Sequence, residues 1–310
     1  MSKPRKAADN PQSIVSNLWG RIARERSGDE EWKRLYWQSH PLTLRHINRA
    51  LSGDPGTGWL EFFQNRYCRA KLGRGLSLGC GGGAAEREAI KLGLCAHIDA
   101  FDVAGEALDA ARAQARKEGI DTLINYRIAD LEDLHLGSGD YDIVLASHML
   151  HHIRHLESLI DELKRGLRAG GYLLVADYIG PARLQWDDKQ ERLMNVLLEC
   201  LPASMRVCAR SGCVREKITR PAIEAVIAHD PSEAIRPQDI PRLLDERFNI
   251  LYRADLGGTL LMTVLNELAP HFHEDDPKDA ALIGMMSLFE RTLIEEGVIQ
   301  SDFAYFIAQK

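Results

Sequence analysis

The segment that most restricts this chain is Leu76-Ser-Leu-Gly-Cys-Gly-Gly-Gly-Ala84. Three residues of apolar strand run into a glycine turn, and the turn opens a helix. Glycines at 79, 81 and 83 admit positive φ and let a ligand approach bare backbone. A strand that turns this sharply into a helix is the opening move of an α/β unit. The rhythm downstream agrees. A helix is expected near Ala84–Leu92, a strand over His97–Asp102, a helix over Gly105–Lys117, and strands at Asn125–Ala129 and Asp142–Ser147. A helix over Leu156–Leu167 is stopped by Ala169-Gly-Gly171 and followed by a fifth strand, Tyr172–Asp177. Repeated strand–helix–strand units predict a parallel sheet with helices on both faces, and ligands beyond the carboxyl ends of its strands.

Flanking this core, residues 1–12 are polar with two prolines and are expected to be a disordered terminus. Residues 13–70 form a helical N-terminal cap, since Ile14, Leu18, Trp19 and Ile22 recur at helical spacing. The main domain then runs over 71–310, with a mostly helical insertion over 182–245 and two more strands near Phe248–Arg253 and Phe303–Ala308. Within the insertion, Asp230-Pro-Ser-Glu233 has the order of an N-cap, a proline at N1 and a capping box. Gly257-Gly-Thr259 reads as a turn into a helix with Thr259 as its cap.

Composition narrows the function. Lys and Arg number 39 against 45 Asp and Glu, for a formal charge of −6, so no global field neutralises phosphates and nucleic acid is disfavoured as a partner. The apolar runs fall far short of the ~20 residues that a membrane helix needs. The polar start, Met1 to Lys6, lacks the apolar core of a signal peptide, so the cytoplasm is the expected compartment. Six scattered cysteines, without a paired framework, read as reduced thiols rather than a disulfide or zinc set.

Asp102 closes the second strand, 19 residues beyond Gly83, where a carboxylate can accept ribose hydroxyls. The glycine run fits two templates. Gly79-x-Gly81-x-x-Ala84 satisfies the dinucleotide pattern, and Gly79-x-Gly81-x-Gly83 is the spacing of nucleoside-sulfonium sites. Ala129-Asp130-Leu131 then places a second acid after the third strand, where it can meet an adenine amino group, and the fourth strand runs through Ser147 into His148-Met-Leu-His-His152. This ordered set, spanning 75–178, resembles the class I S-adenosylmethionine-dependent methyltransferases, in particular the small-molecule group that includes quinone-biosynthesis enzymes. Asp177–Trp186, Asp230–Arg236 and Gly257–Leu261 further resemble a bacterial subgroup that acts on surface polysaccharides and other small molecules.

The resemblance implies a Rossmann-like seven-stranded sheet, mostly parallel, with an antiparallel last strand. It implies S-adenosylmethionine as cofactor and S-adenosylhomocysteine as product. The contacting residues would be Gly79, Cys80, Gly81, Gly83, Asp102, Val103, Asp130, Leu131, Ser147 and His148. Where relatives carry an acid just before the first glycine, this chain has Ser77 and Leu78, which puts the methionine-end contacts in doubt.

Because a sulfonium methyl is already activated, the protein's tasks are alignment, exclusion of water and, for a hydroxyl acceptor, removal of a proton. The catalytic candidates are His148, His151 and Asp177, and the substrate candidates are Tyr178, Arg183, Trp186 and His152. No metal is expected, since no carboxylate completes an obvious set with the three histidines. The expected activity is methyl transfer to a small-molecule hydroxyl, on a sugar or an anionic metabolite, by a chain that can work as a homodimer. Rival readings are N- or C-methylation, RNA methylation, a nicotinamide oxidoreductase, or cofactor binding without catalysis. Five cations against one acid among Arg206, Arg210, Arg215, Glu216, Lys217 and Arg220 leave room for an anionic substrate.

Overall fold

The computed structural model describes residues 11–26 and 35–310. The first ten positions, most of the expected disordered terminus, lie outside the described residues, and Pro11 already opens α1 (Pro11–Arg26). Then follow α2 (Pro41–Ser52), α3 (Trp59–Tyr67), β1 (Leu72–Leu78), α4 (Ala84–Lys91), β2 (Cys95–Asp102), α5 (Gly105–Lys117) and β3 (Ile124–Ile128). After β4 (Tyr141–Ser147) come α6 (Leu156–Gly166), β5 (Leu167–Tyr178), α7 (Asp188–Cys200), α8 (Ile223–His229) and α9 (Asp239–Arg247). The chain closes with β6 (Asn249–Gly257), α10 (Leu261–Leu265), α11 (Pro277–Glu295) and β7 (Phe303–Gln309).

The strands make one seven-stranded sheet in the order β3-β2-β1-β4-β5-β7-β6. The first five are parallel, and β7 runs antiparallel to both neighbours. Strand order reverses between β1 and β4, so their carboxyl ends splay apart and open the crevice where such sheets bind ligands. The helix after β4 ends at Gly166, and the glycines at 170 and 171 sit inside β5 rather than stopping a helix. There Gly170 N–H donates to Lys310 O and Lys310 N–H donates to Gly171 O, so the glycines join the ladder with the last residue.

Each sheet face has its own core. On one face Val144, Leu173, Val175 and Phe306 pack against α6 and α9 through Leu159, Leu163 and Leu244. On the other, Ile98, Leu145 and Tyr305 meet α2, α3 and α5 through Leu51, Phe63 and Leu108. A third cluster gathers Trp37, Tyr178, Trp186, Met194, Val264 and Phe303 beyond the end of β5. The insertion is therefore split. Its helix α7 builds this third core, whereas α9 packs on the sheet layer.

Two expected caps form differently. Asp230 follows α8 rather than starting a helix. Its Oδ1 accepts from Ser232 N–H and Ser232 Oγ–H, an Asx turn that competes with helix initiation, and α9 opens only at Asp239. Thr259 donates its hydroxyl to Gln300 O instead of capping α10. The acceptor there is the buried carboxylate of Glu290, reaching over from α11 to take the N–H groups of Gly258, Leu260 and Leu261. No helix among the described residues is long and apolar enough to cross a membrane.

Candidate active site

The glycine turn folds as the residue types demand. Gly79, Gly81 and Gly83 have φ of 59°, 50° and 73°, in the left-handed region that side chains avoid. A Cβ on Gly79 would lie 2.8 Å from Met149 Cβ, and one on Gly83 would run into Tyr126 Oη and the Ala111 methyl. A Cβ on Gly81 would meet nothing within 4 Å, so this glycine faces open space, as a residue cradling a ligand must. Asp102 closes the cradle. Its Oδ2 accepts from Gly81 N–H at 2.8 Å and its Oδ1 from Ala104 N–H at 2.8 Å, leaving the remaining lone pairs for ribose hydroxyls. Burial raises its carboxyl pKa, opposed by those N–H bonds.

Cys80 lies in the turn with its thiol pKa pushed well up by burial, which makes it a packing group rather than a nucleophile. Ser77, which stands in the strand just before the glycine turn, is paired from the neighbouring helix. Glu86, on the first turn of α4, is buried with its carboxylate on Ser77 Oγ, and desolvation lifts its pKa to about 7. Beyond β3, Asp130 accepts from Glu132 N–H and caps the short turn that contains Leu131.

The β4–α6 turn carries the histidines. His148 has φ of 54°, a strained value for a residue with a side chain, and its N–H donates to Ala176 O at 2.8 Å. Its ring is exposed and lies 5.8 Å from that of Phe303. Asp177, wholly buried, organises the turn from the end of β5. Its Oδ2 accepts from Met149 and Leu150 N–H, and its Oδ1 lies 2.5 Å from His151 Nδ1. Burial draws the His151 pKa down, but the charge and hydrogen bond of Asp177 outweigh it and the net shift is upward. For Asp177 burial pushes upward and His151 outweighs it, so its carboxyl is held low. His152 goes the other way, lowered well below the ordinary range by burial and by the charge of His151.

The remaining sequence candidates divide. Tyr178 presents its ring edge to His151, with centroids 6.0 Å apart, but its hydroxyl is taken by Pro181 O. Trp186 is buried in the third core, and Arg183 spends its guanidinium on Pro231 O and Glu233 O. Both side chains are engaged inside the protein, Trp186 by burial and Arg183 through one guanidinium nitrogen on those two carbonyls. Three cations of the basic segment make internal bonds. Arg210 donates to Tyr36 Oη, Arg215 to Thr263 O, and Arg220 to Trp186 O and Asp188.

The residue that sequence reasoning passed over is Glu233. The Arg183 bonds and Ile235 N–H on His151 O hold its loop against the histidine turn, with Oε1 3.9 Å from His151 Nε2. Its glutamate type at the end of an apparent capping box disguised it. Helix α1 roofs the site. Ser16 Oγ donates to Val103 O, and Trp19 packs on Ala104 and Ala107 with its ring edge-on to His152 at 5.4 Å.

Residues 76–175, from β1 into β5, match the family described as "Methyltransferase domain". With the sheet order and the glycine–Asp102 cradle, the matched residues 76–175 form a methyltransferase domain of the class I S-adenosylmethionine-dependent kind, and S-adenosylmethionine is the cofactor of such a domain. The cradle fits that group through the open side of Gly81 and the acidic end of β2. Among relatives, a ubiquinone biosynthesis O-methyltransferase of Shewanella pealeana is 33% identical over 145 residues, covering 46% of this chain and 52% of the relative. The 27-O-demethylrifamycin SV methyltransferase of Amycolatopsis mediterranei is 26% identical over 62% of this chain and 67% of its own length. The chain thus spans about half the length of the first of these relatives. The crystal structure of geranyl diphosphate C-methyltransferase from Streptomyces coelicolor shares the fold, with a TM-score of 0.55 at 14% identity over 98% of this chain and 99% of the other.

Proposed function

We propose that this protein transfers a methyl group from S-adenosylmethionine to a hydroxyl of a small-molecule acceptor. One observation carries the reading: the Gly81–Asp102 cradle packs directly against the turn that presents the His151–Asp177 pair, through Gly79 on Met149. The cofactor's sulfonium supplies a methyl already activated for transfer. The chain supplies the rest. Asp102 and the glycine loop bind and orient, and Asp130 and Leu131 flank the adenine side. Trp19 and the α1 roof exclude water, which strengthens every polar contact inside. Asp177 accepts the Nδ1–H of His151 and so fixes the tautomer that leaves Nε2 free to take the acceptor's proton. A C–O bond forms as the C–S bond breaks, and the hydroxyl proton ends on His151 or passes to solvent.

The identity of relatives that methylate oxygen supports the choice of a hydroxyl over nitrogen or carbon. The internal bonds of Arg210, Arg215 and Arg220 weigh against an RNA substrate. The test is calorimetric titration with S-adenosylhomocysteine and, in parallel, NAD, followed by transfer of a labelled methyl group to candidate hydroxyl acceptors. Micromolar binding of the first alone, weakened at least tenfold in Asp102→Ala, is the expected result. A folded protein that ignores S-adenosylhomocysteine sinks the reading. Cofactor binding with label appearing only on nitrogen or carbon refutes the hydroxyl assignment.

A further inference from the structure

We propose that His151, His152 and Glu233 bind one divalent transition-metal ion beside the acceptor position. One ligand atom from each residue lies within 4.8 Å of the other two, and His151 Nε2 and Glu233 Oε1 are 3.9 Å apart. An ion at about 2.0–2.2 Å from each donor needs them roughly 3–3.5 Å apart, a closure within reach of side-chain torsions. The sequence argued against a metal because no carboxylate stood near the histidines; the 231–235 loop brings one.

The arrangement around the donors favours an ion over a chance cluster. Metal-bound histidines give their second ring N–H to an acceptor that fixes the tautomer. Here His151 Nδ1 is held by Asp177 Oδ1 at 2.5 Å. His152 Nδ1 lies 3.0 Å from Ser232 Oγ, and that hydroxyl donates its hydrogen to Asp230 Oδ1 at 2.6 Å. Ser232 Oγ therefore accepts from His152 Nδ1–H. Both imidazoles are left with an Nε2 lone pair to offer. Asp230 is buried and its Oδ2 has no hydrogen-bond partner, 3.9 Å from His152 Nδ1, so an unbonded carboxyl oxygen stands just behind the site. Glu233 itself is fixed by Arg183, whose guanidinium bonds the carbonyls on either side of Ser232.

Two imidazoles and one carboxylate suit zinc, iron(II), cobalt or manganese. Magnesium and calcium prefer oxygen-only sets. Three protein ligands leave at least one position open, and an ion there lowers the pKa of a hydroxyl bound to it. That consequence rests on the acceptor reading above. The hydroxyl proton then leaves to solvent rather than to His151, while the methyl still passes from sulfur to oxygen. The binding site itself does not depend on that reading.

The test uses the full chain, free of any histidine tag and stripped with EDTA. Zinc is titrated by calorimetry and cobalt(II) by visible absorption, with magnesium as control. We expect one equivalent of zinc, a cobalt spectrum of nitrogen and oxygen ligands without thiolate charge transfer, and magnesium at least tenfold weaker. Glu233→Gln and His152→Ala should each weaken binding at least tenfold, Ser232→Ala less, and Cys208→Ser with Cys213→Ser not at all. Thermal unfolding of each variant confirms that it is folded, and Glu233→Gln keeps the side chain's shape. No binding, a thiolate-type spectrum, or affinity indifferent to Glu233→Gln overturns the site. S-adenosylhomocysteine is titrated into the same preparations. Cofactor binding without metal binding refutes the metal site alone, and metal binding without cofactor binding refutes the cofactor reading alone.

Discussion

At the scale of single residues, the buried acids divide by what surrounds them. Asp177 is surrounded by donors, four backbone or ring N–H groups, and stays ionised as the anchor of the histidine turn. Asp177→Asn puts an amide where His151 needs an acceptor and should lower kcat by about 10²–10⁴-fold with KM little changed, as steady-state kinetics would show. Gly83 is equally exacting for a different reason. Gly83→Ala places a methyl 2.9 Å from the Ala111 Cβ at a φ of 73°, and a loss of about 2–4 kcal/mol is expected in urea unfolding.

At the scale of elements, helices are secured by side chains far away in sequence. The short α10 starts on three N–H groups that all donate to Glu290 of α11. Removing that acceptor leaves them buried and unpaired. Glu290→Ala should therefore cost about 3–5 kcal/mol, measurable as a large fall in Tm, while an exposed residue of the same helix such as Glu295→Ala changes little. Helix α1 packs along α5 and meets the site through Trp19 on Ala104 and Ala107 and Ser16 on Val103. Trp19→Ala should speed release of S-adenosylhomocysteine severalfold in stopped-flow measurements without abolishing binding, because the cradle beneath is made by other elements. An unchanged release rate would show that α1 does not gate the site.

At the scale of the molecule, two buried carboxyls set a pH dependence. Desolvation lifts Glu86 and Asp302 to about 7, against ordinary values of 4.5 and 3.8. The folded state thus holds protons that the unfolded chain releases. Their contribution is fully present below pH 4 and is lost as pH rises to about 7, after which it levels off. For Glu86 the loss is on the order of 3–4 kcal/mol, at about 1.4 kcal/mol per pKa unit. Glu86→Gln should remove its share of that slope and be relatively more stable at pH 8 than at pH 4, as a Tm series across pH would show. An identical slope in wild type and variant would refute the assignment.

Local chemistry wrote most of the frame into the sequence. The glycine turn, Asp102, the exact span of α5 and the parallel strands follow from φ preferences, hydrophobic period and a carboxylate at a strand end, all of which act over a few residues. His148, His151, His152 and Asp177 were legible as a set because the class I strand order brings the ends of β4 and β5 side by side. What needed the tertiary structure lies across long loops. Asp230-Pro-Ser-Glu233 satisfies the local rule for a helix start, yet its backbone is claimed by an Asx turn, by Arg183 and by His151 O, and Glu233 is delivered to the histidines. Arg183 and Trp186, polar and aromatic beside a strand end, carry the local signature of substrate contacts, and only the tertiary structure shows the internal contacts that each also makes. Short-range preference determines which turns and helices can form. Which side chains meet is decided by packing between segments that no spacing rule connects, and this is where the acceptor side of the site is made.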